Sequence, residues 1–267
     1  MRTQHSGMKL LVLIAIVFMP LAAGAQAKSN GAGQKPAIVL IHGAWADGSC
    51  WQEVIPILQK SGYKVQAAQL PLANFAEDIA FARRLIESQK GQVVVVGHSY
   101  GGAVMTEAAS KNKNVKALVF VSAFAPDAGE SLKSLQDKFA KMPIGDAVMP
   151  DAAGFLYIDP AKFHDVFAQD LPEKQTAVLA AVQKPFFNQS FEAPAKDPAW
   201  KTVPSWFLIS TADHAIDPNQ QRFEAKRMSA HITEVKSSHL PMLSKPKEVA
   251  KIIEAAATEE TAMANPE

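Results

Sequence analysis

The chain has a single cysteine in 267 residues, Cys50, so no intramolecular disulfide can form in any redox compartment. Nothing near Cys50 suggests a thiolate, and it reads as a small buried apolar residue. An excess of charge is also lacking. Lys plus Arg number 27 and Asp plus Glu 26, a formal net charge of +1, which leaves no electrostatic footprint for nucleic acid or an anionic membrane. The one long apolar run, Leu10 to Met19, is too short to span a bilayer comfortably. No glycine-rich phosphate loop occurs. Asp159, His164, Asp165 and Asp170 lack metal-ligand spacing and read as helix caps and a solvated face.

What is present starts with a leader. Arg2 and Lys9 precede the apolar run, and Ala23-Gly24-Ala25 and Ala25-Gln26-Ala27 follow it, the pattern of a secretory signal cleaved after Ala27 or Ala25. Residues 28–267 then carry 25 basic and 26 acidic residues. The expectation is a secreted or periplasmic protein with no membrane association after cleavage. At 48% hydrophobic, the remainder can bury one core of α/β-domain size.

Apolar runs and helical stripes alternate through the first half. "AIVLIH" (Ala37 to His42), "YKVQAAQL", "QVVVVGH" and "VKALVFVSA" read as strands, the continuous ones being covered on both faces. Between them, Trp51, Val54, Ile55 and Leu58, then Phe75, Ile79, Ala82, Leu85 and Ile86, recur at helical spacing, and Gly101 to Lys111 looks helical. The pattern predicts a doubly wound, mostly parallel α/β sheet. It breaks over about 126–200, where helical patches (Leu132 to Met142, Pro160 to Phe167, Glu173 to Gln183) predict a helical cap inserted after the fourth strand. It resumes with "SWFLIST", a helix over Pro218 to Met228, "HITEVK" and a helix over Lys245 to Ala257. Such a cap would cover the strand C-terminal edge, where open α/β sheets bind ligands.

The stretch "VVVVGHSYGG" (Val93 to Gly102) carries the chemistry. A buried strand, G-x-S-x-G and a helix form a nucleophile elbow, with Gly97 and Gly101 permitting close approach and Ser99 projecting from a strained turn. A serine hydroxyl needs a base, so an acid and then a histidine should follow in the chain. His5 lies in the leader, His42 and His98 precede the serine, and His164 lies in the cap, which leaves His239 with His214 and His231 as rivals. His239 follows the last strand, at the sheet edge that Ser99 occupies, whereas His231 begins that strand at the other end. Asp213 follows "WFLIST" by two residues, and Asp217, directly before Pro218, suits a helix N-cap. Asp213 is therefore the candidate acid. The N–H of Tyr100, after the nucleophile, and that of Ala44, in the loop after the first strand, are the candidate oxyanion donors. His42 reads as a local structural histidine.

On "IVLIHGAWADGSCW", "VVVVGHSYGG", "ALVFVSAFAP", "STADHAIDP" and "SSHLPMLSKP", the chain resembles the α/β-hydrolase fold superfamily. It is most similar there to small bacterial hydrolases related to plant methyl-ester esterases and hydroxynitrile lyases. The resemblance implies Ser99 as nucleophile, Asp213 as acid, His239 as base, and Ala44 and Tyr100 as oxyanion donors. The lyase branch carries a threonine and a lysine where this chain has Gly43 and Leu240, so an esterase is the expectation. Phe124, Met142, Met149, Phe155, Leu156, Phe163, Phe167, Phe186 and Phe187 are candidates for an apolar substrate pocket. The expected activity is cofactor-free cleavage of small, largely apolar carboxylic esters. The alternatives are another cofactor-free reaction on the same triad, C–C hydrolysis or perhydrolysis, and non-catalytic binding of a small ligand.

Overall fold

The structure, a computed structural model, describes residues 35–259. The expected signal segment lies outside the described residues. Four strands open the chain, β1 (Ala37–Ile41), β2 (Val65–Ala67), β3 (Val93–His98) and β4 (Val115–Val121), separated by α1 (Ile55–Lys60), α2 (Phe75–Glu87) and α3 (Tyr100–Ala108). Next come α4 (Leu132–Gln136), β5 (Val148–Pro150), β6 (Phe155–Ile158), α5 (Phe163–Phe167), α6 (Glu173–Ala181), β7 (Phe186–Phe187) and α7 (Gln189–Glu192). The chain then runs through β8 (Ser205–Ser210), α8 (Pro218–Arg227), β9 (His231–Val235), α9 (Pro241–Ser244) and α10 (Pro246–Thr258).

Six strands pair in the order β2-β1-β3-β4-β8-β9, every pair parallel. Alternate side chains explain why the strands read as unbroken apolar runs. Val39, Val95, Leu118 and Phe207 join one core with α2, α3 and part of α8. Their neighbours Leu40, Val96, Val119 and Leu208 join a second core, with α10, α9 and Leu58 of α1. A polar face on either side would have left one of these layers unpacked. Between β1 and β3 the strand order reverses, which opens a crevice at their C-terminal ends. The loop after β1 and the turn after β3 meet there.

Between β4 and β8 the chain builds more than helices. β5, β6 and β7 form a three-stranded antiparallel sheet with Val148 opposite Ile158 and Leu156 opposite Phe186. Strands this short, four residues in β6 and two in β7, carry too few residues for a period to register. Two other differences have local causes. The second strand ends at Ala67 because the Leu70 N–H turns away to His42 Nε2 at 2.9 Å. The first helix begins only at Ile55, after a 3-10 turn over Gly48–Trp51, because Pro56 fits a helix's first turn and not its interior.

Candidate active site

The turn after β3 is strained where the sequence placed the serine. Ser99 has φ 53° and ψ −126°, a conformation that costs an L-residue on the order of 1–2 kcal/mol. The chain can crowd here only because Gly101 has no side chain. A Cβ on Gly101 would lie 2.5 Å from the His42 carbonyl oxygen and 2.7 Å from that of Ile41. The turn is tied down by backbone bonds: Ser99 N–H donates to Val121 O at 3.3 Å, and Gly102 and Phe124 N–H donate to Ser99 O at 3.0 and 3.2 Å. Ser99 is left 6% exposed at the N-terminus of α3.

Two loops from the far half of the sheet bring up an acid and a histidine. Asp213 follows β8, and its Oδ1 accepts from Ala215 and Ile216 N–H at 2.7 and 3.0 Å. Its Oδ2 accepts from Gln221 Nε2 and from His239 Nδ1, both at 2.8 Å. A carboxylate can only accept, so Nδ1 carries a proton, and in the neutral imidazole Nε2 is the nitrogen with the lone pair. Both side chains are at most 1% exposed, which strengthens their attraction relative to a surface pair. Ser99 and His239 line the same cavity. The Ser99 hydroxyl makes no hydrogen bond among the described residues; in unliganded sites such contacts commonly tighten only on substrate binding.

Ala44 and Tyr100 also border this cavity, and neither N–H is bonded to another described residue. The Tyr100 hydroxyl points away and donates to Asp78 Oδ2 at 2.7 Å, while Asp78 Oδ1 accepts from Leu72 N–H at 2.8 Å. Burial pushes the Asp78 carboxyl and the Tyr100 phenol above their ordinary ranges, so this side chain holds the turn and stays un-ionised. His42 accepts from Leu70 N–H with Nε2 and donates from Nδ1 to Gly43 O at 2.8 Å. Burial lowers its pKa to about 4, which keeps it neutral, as a structural histidine.

The cavity measures about 200 Å3. Phe124, Leu156 and Phe186, three of the nine expected pocket residues, line it together with Trp45, Leu132, Ile144, Val148 and Phe191. The other six expectations are corrected. Phe163 and Phe167 are buried in the second core, with the Phe167 ring 5.0 Å from that of His239; Phe155 packs on Phe187, neither of them lining the cavity, and Met149 is solvent-exposed. Met142 packs against that same core. Among the described residues, Gln136 is the one polar liner besides Ser99, Tyr100 and His239, and no Lys, Arg, Asp or Glu side chain borders the space.

The sequence matches the model of the alpha/beta hydrolase family over residues 38–252. The chain belongs to that family. Methylesterase 8 of Arabidopsis thaliana is 27% identical over 234 residues, covering 79% of this chain and 86% of the relative. The alpha-hydroxynitrile lyase of Arabidopsis thaliana is 25% identical over 254 residues, covering 85% and 98%. The crystal structure of a pyrethroid hydrolase from Sphingobium faniae JZ-2 is similar with a TM-score of 0.72 at 22% identity, over 83% of this chain and 97% of that one.

Within this alpha/beta hydrolase the rival residues sit elsewhere. Asp217 caps α8, accepting from Asn219 N–H at 2.8 Å. His214 donates to Asp165 O at 2.7 Å, and His231 stacks on Trp206 with ring centres 4.8 Å apart. Asp170 is exposed, as expected, and its Oδ2 also accepts from Ser238 N–H at 3.0 Å, bracing the residue before His239. Sequence reasoning also passed over Gln221, which bridges Asp213, Ile216 O and the Ser210 N–H. A glutamine one turn into so polar a helix carries no mark of being fully buried. Trp45 was missed too: its φ is 57°, and its Nε1 donates to Leu156 O at 2.9 Å, linking the loop after β1 to β6.

Proposed function

We propose that this chain is a secreted serine hydrolase that cleaves small, largely apolar carboxylic esters through an acyl-enzyme. The observation that carries this is the Asp213–His239 pair, bonded at 2.8 Å, facing the same apolar cavity as the strained Ser99. With its Nδ1–H donating a hydrogen bond to the Asp213 carboxylate, His239 offers Nε2 to the serine hydroxyl as general base. Ser99 Oγ attacks the ester carbonyl, and the developing oxyanion accepts from the free N–H groups of Ala44 and Tyr100. The latter stands at the N-terminus of α3, whose dipole favours negative charge. His239 then returns the proton to the departing alcohol. Water, deprotonated by the same ring, cleaves the acyl-enzyme to the acid and free Ser99.

The family relationship and the similarity to a methylesterase support ester cleavage. Lyase chemistry is disfavoured, since a leaving cyanide needs a cation and no lysine or arginine among the described residues borders the cavity. The same lack of charge favours neutral substrates, because an uncompensated buried carboxylate costs several kcal/mol. Secretion rests on the leader alone, and N-terminal sequencing of the mature protein tests it.

A panel of p-nitrophenyl esters of increasing acyl length, run beside Ser99→Ala, tests the reading. Neutral short and medium acyl chains should turn over, and the variant should lose on the order of 10^4-fold or more in kcat. A variant that keeps most of the activity would refute the mechanism.

A further inference from the structure

Behind His239 runs a row of buried serines that the mechanism above does not use. Ser122 Oγ lies 2.6 Å from Ser210 Oγ, Ser210 Oγ lies 2.7 Å from Ser237 Oγ, and Ser237 Oγ lies 3.1 Å from the Ser238 carbonyl oxygen. We propose that these three hydroxyls form a one-directional hydrogen-bond chain that positions His239, an inference that rests on His239 being the general base.

The direction follows from valence. A carbonyl oxygen only accepts, so Ser237 donates its single proton to Ser238 O. Ser237 must then accept from Ser210, and Ser210 from Ser122. Every dipole points toward the residue that precedes His239 in the chain, and bonds aligned in this way polarise one another.

The chain crosses the sheet where the site is assembled. Ser122 directly follows β4, Ser210 ends β8, and Ser237 lies in the loop after β9. All three are at most 1% exposed. Ser122 has φ 45°, a left-handed conformation that a serine holds only when its surroundings over-determine it. Its N–H donates to Leu208 O at 2.9 Å, and the preceding residue, Val121, accepts from the Ser99 N–H. The row therefore starts beside the nucleophile's turn and ends beside the base. The far side of the histidine loop is held separately: Ser238 N–H donates to Asp170, and His98 Nε2 donates to His239 O at 2.8 Å. Three apolar groups of the same shape could fill this seam at little cost in stability. Hydroxyls add one thing that they could not, a fixed position for the Ser238 carbonyl.

The test compares Ser237→Ala, Ser237→Thr and the triple variant S122A/S210A/S237A with the parent chain, for melting temperature, kcat and KM. A single alanine leaves a neighbouring hydroxyl orphaned, whereas the triple variant leaves none, so stability and positioning separate. We expect the triple variant to melt near the parent yet to lose about tenfold in kcat with KM unchanged. Displacements of about 1 Å at a base cost up to ~100-fold. Ser237→Ala should show the same kcat loss and Ser237→Thr should restore it, a comparison that stands even if the triple variant does not fold. If kcat recovers together with melting temperature in the triple variant, or does not fall in Ser237→Ala, the chain is structural only and the proposal is overturned. Labelling of Ser99 by a fluorophosphonate in the parent separates that failure from the other. A parent that is not labelled overturns the catalytic reading and this inference with it.

Discussion

Glu224→Gln removes one buried charge and should invert part of the protein's pH dependence. Glu224 has no exposed surface. Its Oε2 accepts from the Ala125 N–H, and its Oε1 accepts from Gln220 Nε2 at 2.8 Å. Burial pushes its pKa from 4.5 to about 7, against the pull of those hydrogen bonds and of Arg227. A carboxyl with a higher pKa folded than unfolded binds its proton more tightly in the folded chain. Its stabilising contribution is full below pH 4.5, declines between 4.5 and 7, and is gone above 7. At 1.36 kcal/mol per unit the loss is about 3 kcal/mol.

The parent's own stability curve does not isolate this effect. Burial lowers the His42 pKa from 6.5 to about 4, so that group adds stability as pH rises across much of the same range. The difference between parent and Glu224→Gln cancels it. The variant's amide is neutral at every pH, and Gln220 can turn its own amide to meet the new donor. Urea unfolding at pH 4.5, 6, 7 and 8 should show the parent losing about 3 kcal/mol relative to the variant from the first to the last. A difference that stays flat with pH would refute the placement of a buried, proton-binding Glu224. The site has a stake in the result. Glu224 and Arg227 hold Ala125 by its N–H and its carbonyl, and the adjacent Phe124 lines the cavity.

Gly101→Ala should destabilise the fold by roughly 3 kcal/mol or more, because its Cβ meets two backbone carbonyls that cannot turn aside; near-parental melting with full activity would contradict the close approach. Trp45→Phe keeps an aromatic ring against Phe167 and Phe186 but loses the bond to Leu156 O, at a cost of about 1 kcal/mol. Because Trp45 adjoins Ala44, we expect kcat to fall more than KM rises, read from ester hydrolysis.

The layers of this protein were legible in its sequence because the central strands β1, β3, β4 and β8 are packed on two faces. "VVVV" and "ALVFV" are unbroken apolar runs for that reason, and α2 shows a clear stripe. The serine, the acid and the histidine could be read because their chemistry demands a chain order and a sheet edge. Less visible was everything fixed by contacts across long sequence separation. β6 and β7 pair through two registered positions, and which phenylalanines face the cavity depends on how that small sheet is set down. Gln221 and the serines behind His239 are polar residues whose burial is decided by the surrounding elements. No local pattern distinguishes them from polar residues at the surface.

Intact-mass spectrometry of the parent chain and of Ser99→Ala after treatment with a fluorophosphonate tests the central claim most directly. The account predicts one covalent adduct on the parent, located at Ser99, and none on the variant. An unmodified parent, or an adduct that persists in Ser99→Ala, would contradict it.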